Sequence, residues 1–575
     1  MRTCGFEGFE EAKLRPGFIV SLLFILVLGA CSGGSDGGAV IRYNVPEVTM
    51  IDGKIDPSLL AEHQILRRGN GSEPQSLDPH KAEGVPSSHI LRDLFEGLTG
   101  ESPEGDIIPA GAESWDISED GLTYIFHIRK NAFWSNGDPV TAADFSYGLH
   151  RSTDPLTGSE YAQMLAPILH AEDVISGKQD VSALGVKALD EHTLEIRLKG
   201  PTPYFLGLLN HSSTYPVNQR NVEEHGNSFA RPGKLVGNGA YVLKDWVVRS
   251  HITLEKSQHY WDKENVIITE VVLYPIEDQS TAVKRYRAGE LDWTYELPNN
   301  QFKWLSKHMP QDLQISPYLG VYYYGFNLTQ PPFKDNPKLR VALSMAIERE
   351  ILTDKVTQFG ESPNYAYVPT GIPGYKSKTV YWAGFSREER VKEAKKLYEE
   401  AGYSETNPLQ IEIRYNTSEN HKKIALAISA MWKQNLGVKT TLVNEEWKVF
   451  LENRKQKKLT QVFRAGWIGD YSDPYNFFEL LHSKHGINDS GYNNPEYDAL
   501  LAQISVESDL DKRGEMMHKA EAIMLQDQPV APVYSYVTKR LVRPSLQGWK
   551  PNVMDHHYSK YMYLLKYEMT QEPAK

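Results

Sequence analysis

Along this chain the apolar positions switch repeatedly between a two-residue and a helical period. Residues 64–68 and 124–129 read as short strands, and 193–198 alternates as a strand buried on one face. Ile90, Leu91, Leu94 and Phe95 predict an amphipathic helix closed at Gly97, with a turn at 76–80 before it. Asn136-Gly137 predicts a turn, and Thr141 with Asp144 a cap for the next helix. Residues 220–320 return to strands and turns, with 284–292 read as a helix end running into a strand. In the β-prone aromatic run 318–327, Tyr322, Tyr323 and Tyr324 must point to alternating sides.

The second half is a clearer helix and strand alternation. Asn336-Pro337 opens a helix whose stripe is Leu339, Leu343, Ala346 and Ile347. Ser386 and Glu389 form a capping box for a helix that Gly402 ends. A strand at 409–415, a helix at 421–436 stopped by Gly437, and strands at 438–443 and 461–463 follow. A helix over 498–525 and a segment at 532–537 returning to the first part of the chain complete the reading. The pattern predicts a mixed α/β (α+β) protein.

With 575 residues, 40% hydrophobic and 24% charged, the chain can build several domains. A net charge of -12 argues against nucleic acid as a partner. The 32 Tyr and 11 Trp suit either a core or amphipathic walls around a wet cavity. The two cysteines are Cys4 and Cys31. Arg2, Lys13 and Arg15 precede an apolar run at 17–30, which ends in Leu28-Gly29-Ala30-Cys31. This reads as a lipoprotein signal peptide over 1–30, with cleavage before Cys31 and lipidation of its thiol; a tether to about residue 57 follows. Gly33-Gly34-Ser35-Asp36-Gly37 spells a nucleophile elbow but lies in that tether, without the strand and helix the elbow needs. There is no H-E-x-x-H pattern and no cysteine beyond Cys31, so an enzyme, a metal site or a cofactor is not expected.

The stretch Arg464-Ala465-Gly466-Trp467-Ile468-Gly469-Asp470-Tyr471 sets a cation and an anion six residues apart among apolar residues and glycine. It reads either as a structural ion pair near a strand end or as a site for a zwitterion, Asp470 taking an ammonium and Arg464 a carboxylate.

With this stretch go Asn70-Gly71-Ser72-Glu73, Gln75 to Lys81, Arg92 to Leu98, Trp134 to Phe145, Asn238-Gly239-Ala240-Tyr241, Asn416-Thr417-Ser418 with His421, and Glu446-Trp447-Lys448. On these residues the chain resembles the periplasmic oligopeptide-binding proteins of the peptide/nickel family (family 5) of ABC-transporter solute-binding proteins. The resemblance implies a two-lobed periplasmic-binding-protein type II fold with an extra domain and hinge closure over the ligand. It places lobe I at 58–95, 221–319 and 538–575, the extra domain at 96–220, and lobe III at 320–537. It implies a monomeric, lipid-anchored receptor in the periplasm or on the outer face of the bacterial cytoplasmic membrane. Such a receptor captures short peptides for an ABC permease with cytoplasmic ATPases. By the same resemblance Asp470 binds the peptide ammonium, and Arg464 and His421 meet its carboxylate, with Arg454 a further cation. Trp447, Tyr161, Tyr536, Val85 and Trp467 line the channel, and Gly466 offers main-chain hydrogen bonds. The departures are that Gly320 and Ile468 stand where well-studied members carry a disulfide, and Glu296 where they carry an uncharged residue. A dedicated murein-tripeptide, dipeptide, nickel or haem carrier, or a peptide-sensing or chaperone role, uses the same fold and is the alternative.

Overall fold

The computed structural model describes residues 39–372 and 374–573. The signal segment, Cys31 and the Gly33–Gly37 motif lie outside them. Three larger sheets organise the described residues. In the first, Tyr241–Val247, His251–Lys256 and Glu270–Tyr274 run antiparallel, and Ile65–Gly69 adds parallel at the edge. The second is antiparallel, in the order Ala112–Ile117, Thr123–Ile128, Thr193–Arg197, Val186–Asp190. The third has six strands in the order Ser362–Pro363, Val530–Leu541, Leu313–Phe326, Val462–Ile468, Gln410–Asn416, Lys439–Glu445.

The third sheet is mixed. Gln410–Asn416 is parallel to both neighbours, and the strands on the other side are antiparallel. Its two longest strands, Leu313–Phe326 and Val530–Leu541, run straight through positions 319/320 and 537/538. Their pairing breaks between Pro317 and Val321 and resumes beyond.

The caps read from the sequence are present. Thr141 and Asp144 box the start of Ala142–Thr153, and Ser386 and Glu389 box Arg387–Glu400. Asn336 accepts from Leu339 N–H at the start of Pro337–Met345. The helix Glu419–Leu436 starts under Ser418 and stops at Gly437, whose left-handed backbone (φ +74°) ends it.

Three expectations differ. The predicted helix 498–525 is two helices, Pro495–Ile504 and Leu510–Asp527, because Asp509 accepts from Asp511 and Lys512 N–H and caps a new start. After the helix Gln279–Arg287 no full strand forms; Trp293 makes single bridges to Arg68 and Val542. Part of the expected tether is folded: Ala39–Asn44 pairs antiparallel with Glu568–Pro573, and Met50–Ile51 with Lys54–Ile55. Val40, Ile41 and Tyr43 supply the β-prone side chains for that strand.

Two main cores result. One gathers Leu66, Ile90, Phe126, Leu194 and Leu254 from the first two sheets and the helices on them. The other gathers Val321, Leu343, Ile413, Trp432 and Phe477 around the third sheet. Trp467, Tyr475 and Ile487 pack against both, which sets the end of strand Val462–Ile468 where the two halves meet.

Candidate functional site

A cavity of about 240 Å³ opens at this meeting, and all ten channel and anchor residues singled out from the sequence line it. They arrive from separate elements. Val85 begins the helix Val85–Leu94, and Tyr161 precedes the short turn Ala162–Leu165. Trp447 begins the helix Trp447–Gln456. Gly84 has φ +80°, and a Cβ there would stand 2.8 Å from the Trp447 ring, so glycine lets the two halves touch. In the aromatic run, Tyr323 lines the cavity while Tyr322 and Tyr324 are fully buried.

Asp470 follows strand Val462–Ile468. Its backbone N–H and the Trp467 Nε1–H both donate to Asn476 Oδ1, each at 2.9 Å. The carboxylate Oδ1 lies 3.7 Å from His211 Nε2, and Oδ2 has no hydrogen-bond partner. Ser213 N–H donates to His211 Nδ1 at 3.2 Å, which leaves the ring proton on Nε2, toward Asp470. Burial pushes His211 down to about 3, so it brings no charge. Burial pushes the Asp470 carboxyl up to about 7, against the pull of Arg92 and Asn476. No Lys or Arg among the described residues lies within ion-pair distance of it. It is a carboxylate prepared for a cation.

Arg464 is the converse. Its Nη2–H donates to Tyr536 OH at 2.8 Å and its Nη1–H to Asn416 Oδ1 at 3.3 Å. The guanidinium stands 5.0 Å from the Tyr322 ring centre, and its buried Nε has no partner. Among the described residues no carboxylate is within ion-pair distance of it. Neutral groups orient this cation without cancelling its charge.

His421 is buried beside them, its Nδ1 3.5 Å from Tyr322 OH. Burial, then Arg464 and Lys539, drive its pKa well below the ordinary value, so it offers a ring nitrogen and a helix start, not a full charge. Arg454, the further cation, is paired within the protein: its Nε lies 2.6 Å from Asp489 Oδ2. Trp447 stacks on Phe450 and leaves its Nε1–H buried and unpartnered. Tyr161 packs on His211 at 4.5 Å. Gly466 lies directly opposite Tyr322 in the ladder, and a Cβ there would collide with Tyr536 OH. Gly320 is opposite Ile468, and a Cβ on Gly320 would stand 2.5 Å from Ile468 Cδ1, so the isoleucine occupies the space the glycine leaves.

Sequence reasoning missed His211, Asn476, Arg92 and Lys539. Asn476 had a cue, since it follows Asp470 in the same loop. Arg92 stands in a segment that carries the resemblance but was given no role, while His211, just before the short turn Ser212–Thr214, and Lys539, on strand Val530–Leu541, carry no local signal. Among the described residues no cluster of three or more His, Cys, Asp or Glu could hold a metal ion.

The model of the bacterial extracellular solute-binding proteins, family 5, matches residues 106–489. The periplasmic oligopeptide-binding protein OppA of Escherichia coli is 45% identical over 512 residues, 88% of this chain and 94% of its own. The structure of Haemophilus influenzae OppA in complex with the peptide RPPGFSPFR superposes with a TM-score of 0.86 at 39% identity, over 88% of this chain and all of the other. The Escherichia coli murein tripeptide binding protein MppA, 42% identical, also gives 0.86 over 88% of this chain and all of its own. The unliganded open form of MppA gives only 0.61 at the same 42% identity, over 88% of this chain and 98% of its own. The chain therefore superposes better on the peptide complex than on that open form. The chain belongs to the family 5 bacterial extracellular solute-binding proteins.

Proposed function

We propose that this protein is a receptor of the bacterial cell exterior that captures short peptides by their two charged ends and delivers them to an ABC-type permease. The observation that carries the reading is one cavity wall bearing two opposite charges, each without a counter-charge. Arg464 on strand Val462–Ile468 and Asp470 just after it both line this cavity, so the two ends of one short peptide can meet opposite charges. Gly466 between them leaves main-chain groups open to a ligand strand, so affinity comes from the backbone and the ends. The division into two lobes and an extra domain fits the three sheets, with the paired strands Leu313–Phe326 and Val530–Leu541 as the hinge. The lipid on Cys31 and the monomeric state belong to the same proposal, and the names of the relatives support a periplasmic location.

The test is calorimetric titration with Ala-Ala-Ala, its N-acetyl form and its C-terminal amide. The free tripeptide binds, acetylation weakens it by about a hundredfold or more, and amidation weakens it by about tenfold or more. Equal affinity for all three overturns the reading. Binding of murein tripeptide with none of Ala-Ala-Ala moves the dedicated carrier into first place.

A further inference from the structure

Resting on the peptide reading above, we infer that Glu296 makes the carboxylate end of the cavity select ligands whose last residue carries a basic side chain. Glu296 is in the cavity wall beside Tyr295, Gln279 and Tyr536, and its side chain is 27% exposed. Tyr536 is also the residue that holds Arg464. Asn420, the neighbour of His421 in the helix start, donates to Glu296 Oε1 at 3.4 Å, and Gln279 Nε2–H donates to Oε2. The carboxylate is thus held by neutral amides at the end of the cavity where Arg464 and His421 lie.

The cations around it are committed elsewhere. Lys539 Nζ is 3.9 Å from Glu296 but 2.6 Å from Glu361 and 2.8 Å from Asn299 Oδ1. Arg540 pairs with Asp555, and Arg464 rests on Tyr536 and Asn416. Glu277, two residues from Gln279, also lines the cavity, but burial and then Glu446 push its carboxyl up, so it stands apart from Glu296. Glu83, another wall carboxyl, differs likewise: burial and Glu160 push it up to about 7, next to Arg454 and Lys455. A ligand whose last residue is Lys or Arg would give its carboxylate to Arg464 and its side-chain N–H groups to Glu296. A last residue of Glu or Asp would set two carboxylates together.

The experiment measures Kd by calorimetry for Ala-Ala-Lys, Ala-Ala-Glu, Lys-Ala-Ala and Ala-Ala-Ala, with the parent protein and Glu296→Gln. The parent prefers Ala-Ala-Lys over Ala-Ala-Glu by about tenfold or more, and Lys-Ala-Ala gains nothing over Ala-Ala-Ala. In Glu296→Gln the Lys and Glu peptides come within about twofold of each other while Ala-Ala-Ala is unchanged. Ala-Ala-Ala binding with equal affinity for the Lys and Glu forms in the parent protein overturns the Glu296 inference alone. So does an unaltered ratio in the variant, or an equal gain for Lys-Ala-Ala. Failure of Ala-Ala-Ala to bind overturns the peptide reading, and this inference with it. The parent-protein comparison decides the matter even if the variant folds poorly.

Discussion

At the scale of single residues, Asp470 makes the protein's ligand affinity depend on pH. A peptide ammonium pairs with the ionised carboxylate, yet burial holds this carboxyl near 7, so below that value binding must first expel a proton. The Kd for Ala-Ala-Ala should therefore rise as pH falls below 7, approaching about tenfold per unit. Without ligand the same shift acts in the other direction on folding. Between the ordinary carboxyl value of 3.8 and about 7 the folded form keeps a proton that the unfolded chain has released, so stability declines as pH rises through that window. Asp470→Asn should cost about 2–5 kcal/mol of binding and abolish the pH dependence. Its melting temperature at neutral pH should be no lower than the parent's, since a buried unpaired charge is gone. A Kd for the parent that stays flat from about pH 5 to about pH 8 would refute the coupling.

At the scale of elements, the strand pair 320–326 and 462–468 carries the site, and its register offers a direct test. Gly320 and Ile468 face each other, and directly opposed antiparallel positions have Cα atoms roughly 4.5–5.5 Å apart, within disulfide range. The double variant Gly320→Cys with Ile468→Cys should close a bridge that raises stability by about 2–4 kcal/mol, seen as a higher melting temperature when oxidised than when reduced. Gly320→Ala alone should cost about 1–3 kcal/mol, because its methyl meets Ile468 Cδ1 with no space freed. The same strand explains how much of the site is legible in the sequence. Arg464, Gly466, Trp467 and Asp470 fall within one seven-residue stretch, so their charges and spacing stand out as a motif. Arg92 and Lys539 reach the cavity, and His211 reaches Asp470, only through tertiary packing, and each looks locally like an ordinary surface or core residue. Helix and strand types followed from apolar periodicity and caps. The break at 505–509 escaped because apolar spacing resumes on both sides, and the cap at Asp509 acts through its own side chain.

At the scale of the whole molecule, closure and anchoring share residues. Tyr471, next to Asp470, buries its ring against Tyr204 from the 96–220 segment, with ring centres 4.5 Å apart and nearly parallel. Lys455 bridges to Glu160, and Lys448 stands 5.8 Å from the Trp246 ring. Each of these pairs runs between the part built on the third sheet and the rest of the molecule. Tyr204→Ala should therefore weaken Ala-Ala-Ala by about fivefold, mainly through faster dissociation, because an aromatic pair worth about 1 kcal/mol is lost from the closed form alone. Unchanged affinity with an intact fold would show that this stack does not favour closure. A different economy governs the far edge of the molecule, where Ala39–Asn44 is zipped to Glu568–Pro573 with Ala39 opposite Pro573. The two ends of the described chain thus lie side by side. The pair is also fastened to the body: Tyr43 N–H donates to Gln311 Oε1 at 3.0 Å and Ile41 packs against the small core of Val283, Tyr286 and Leu305, so releasing the strand would open that core.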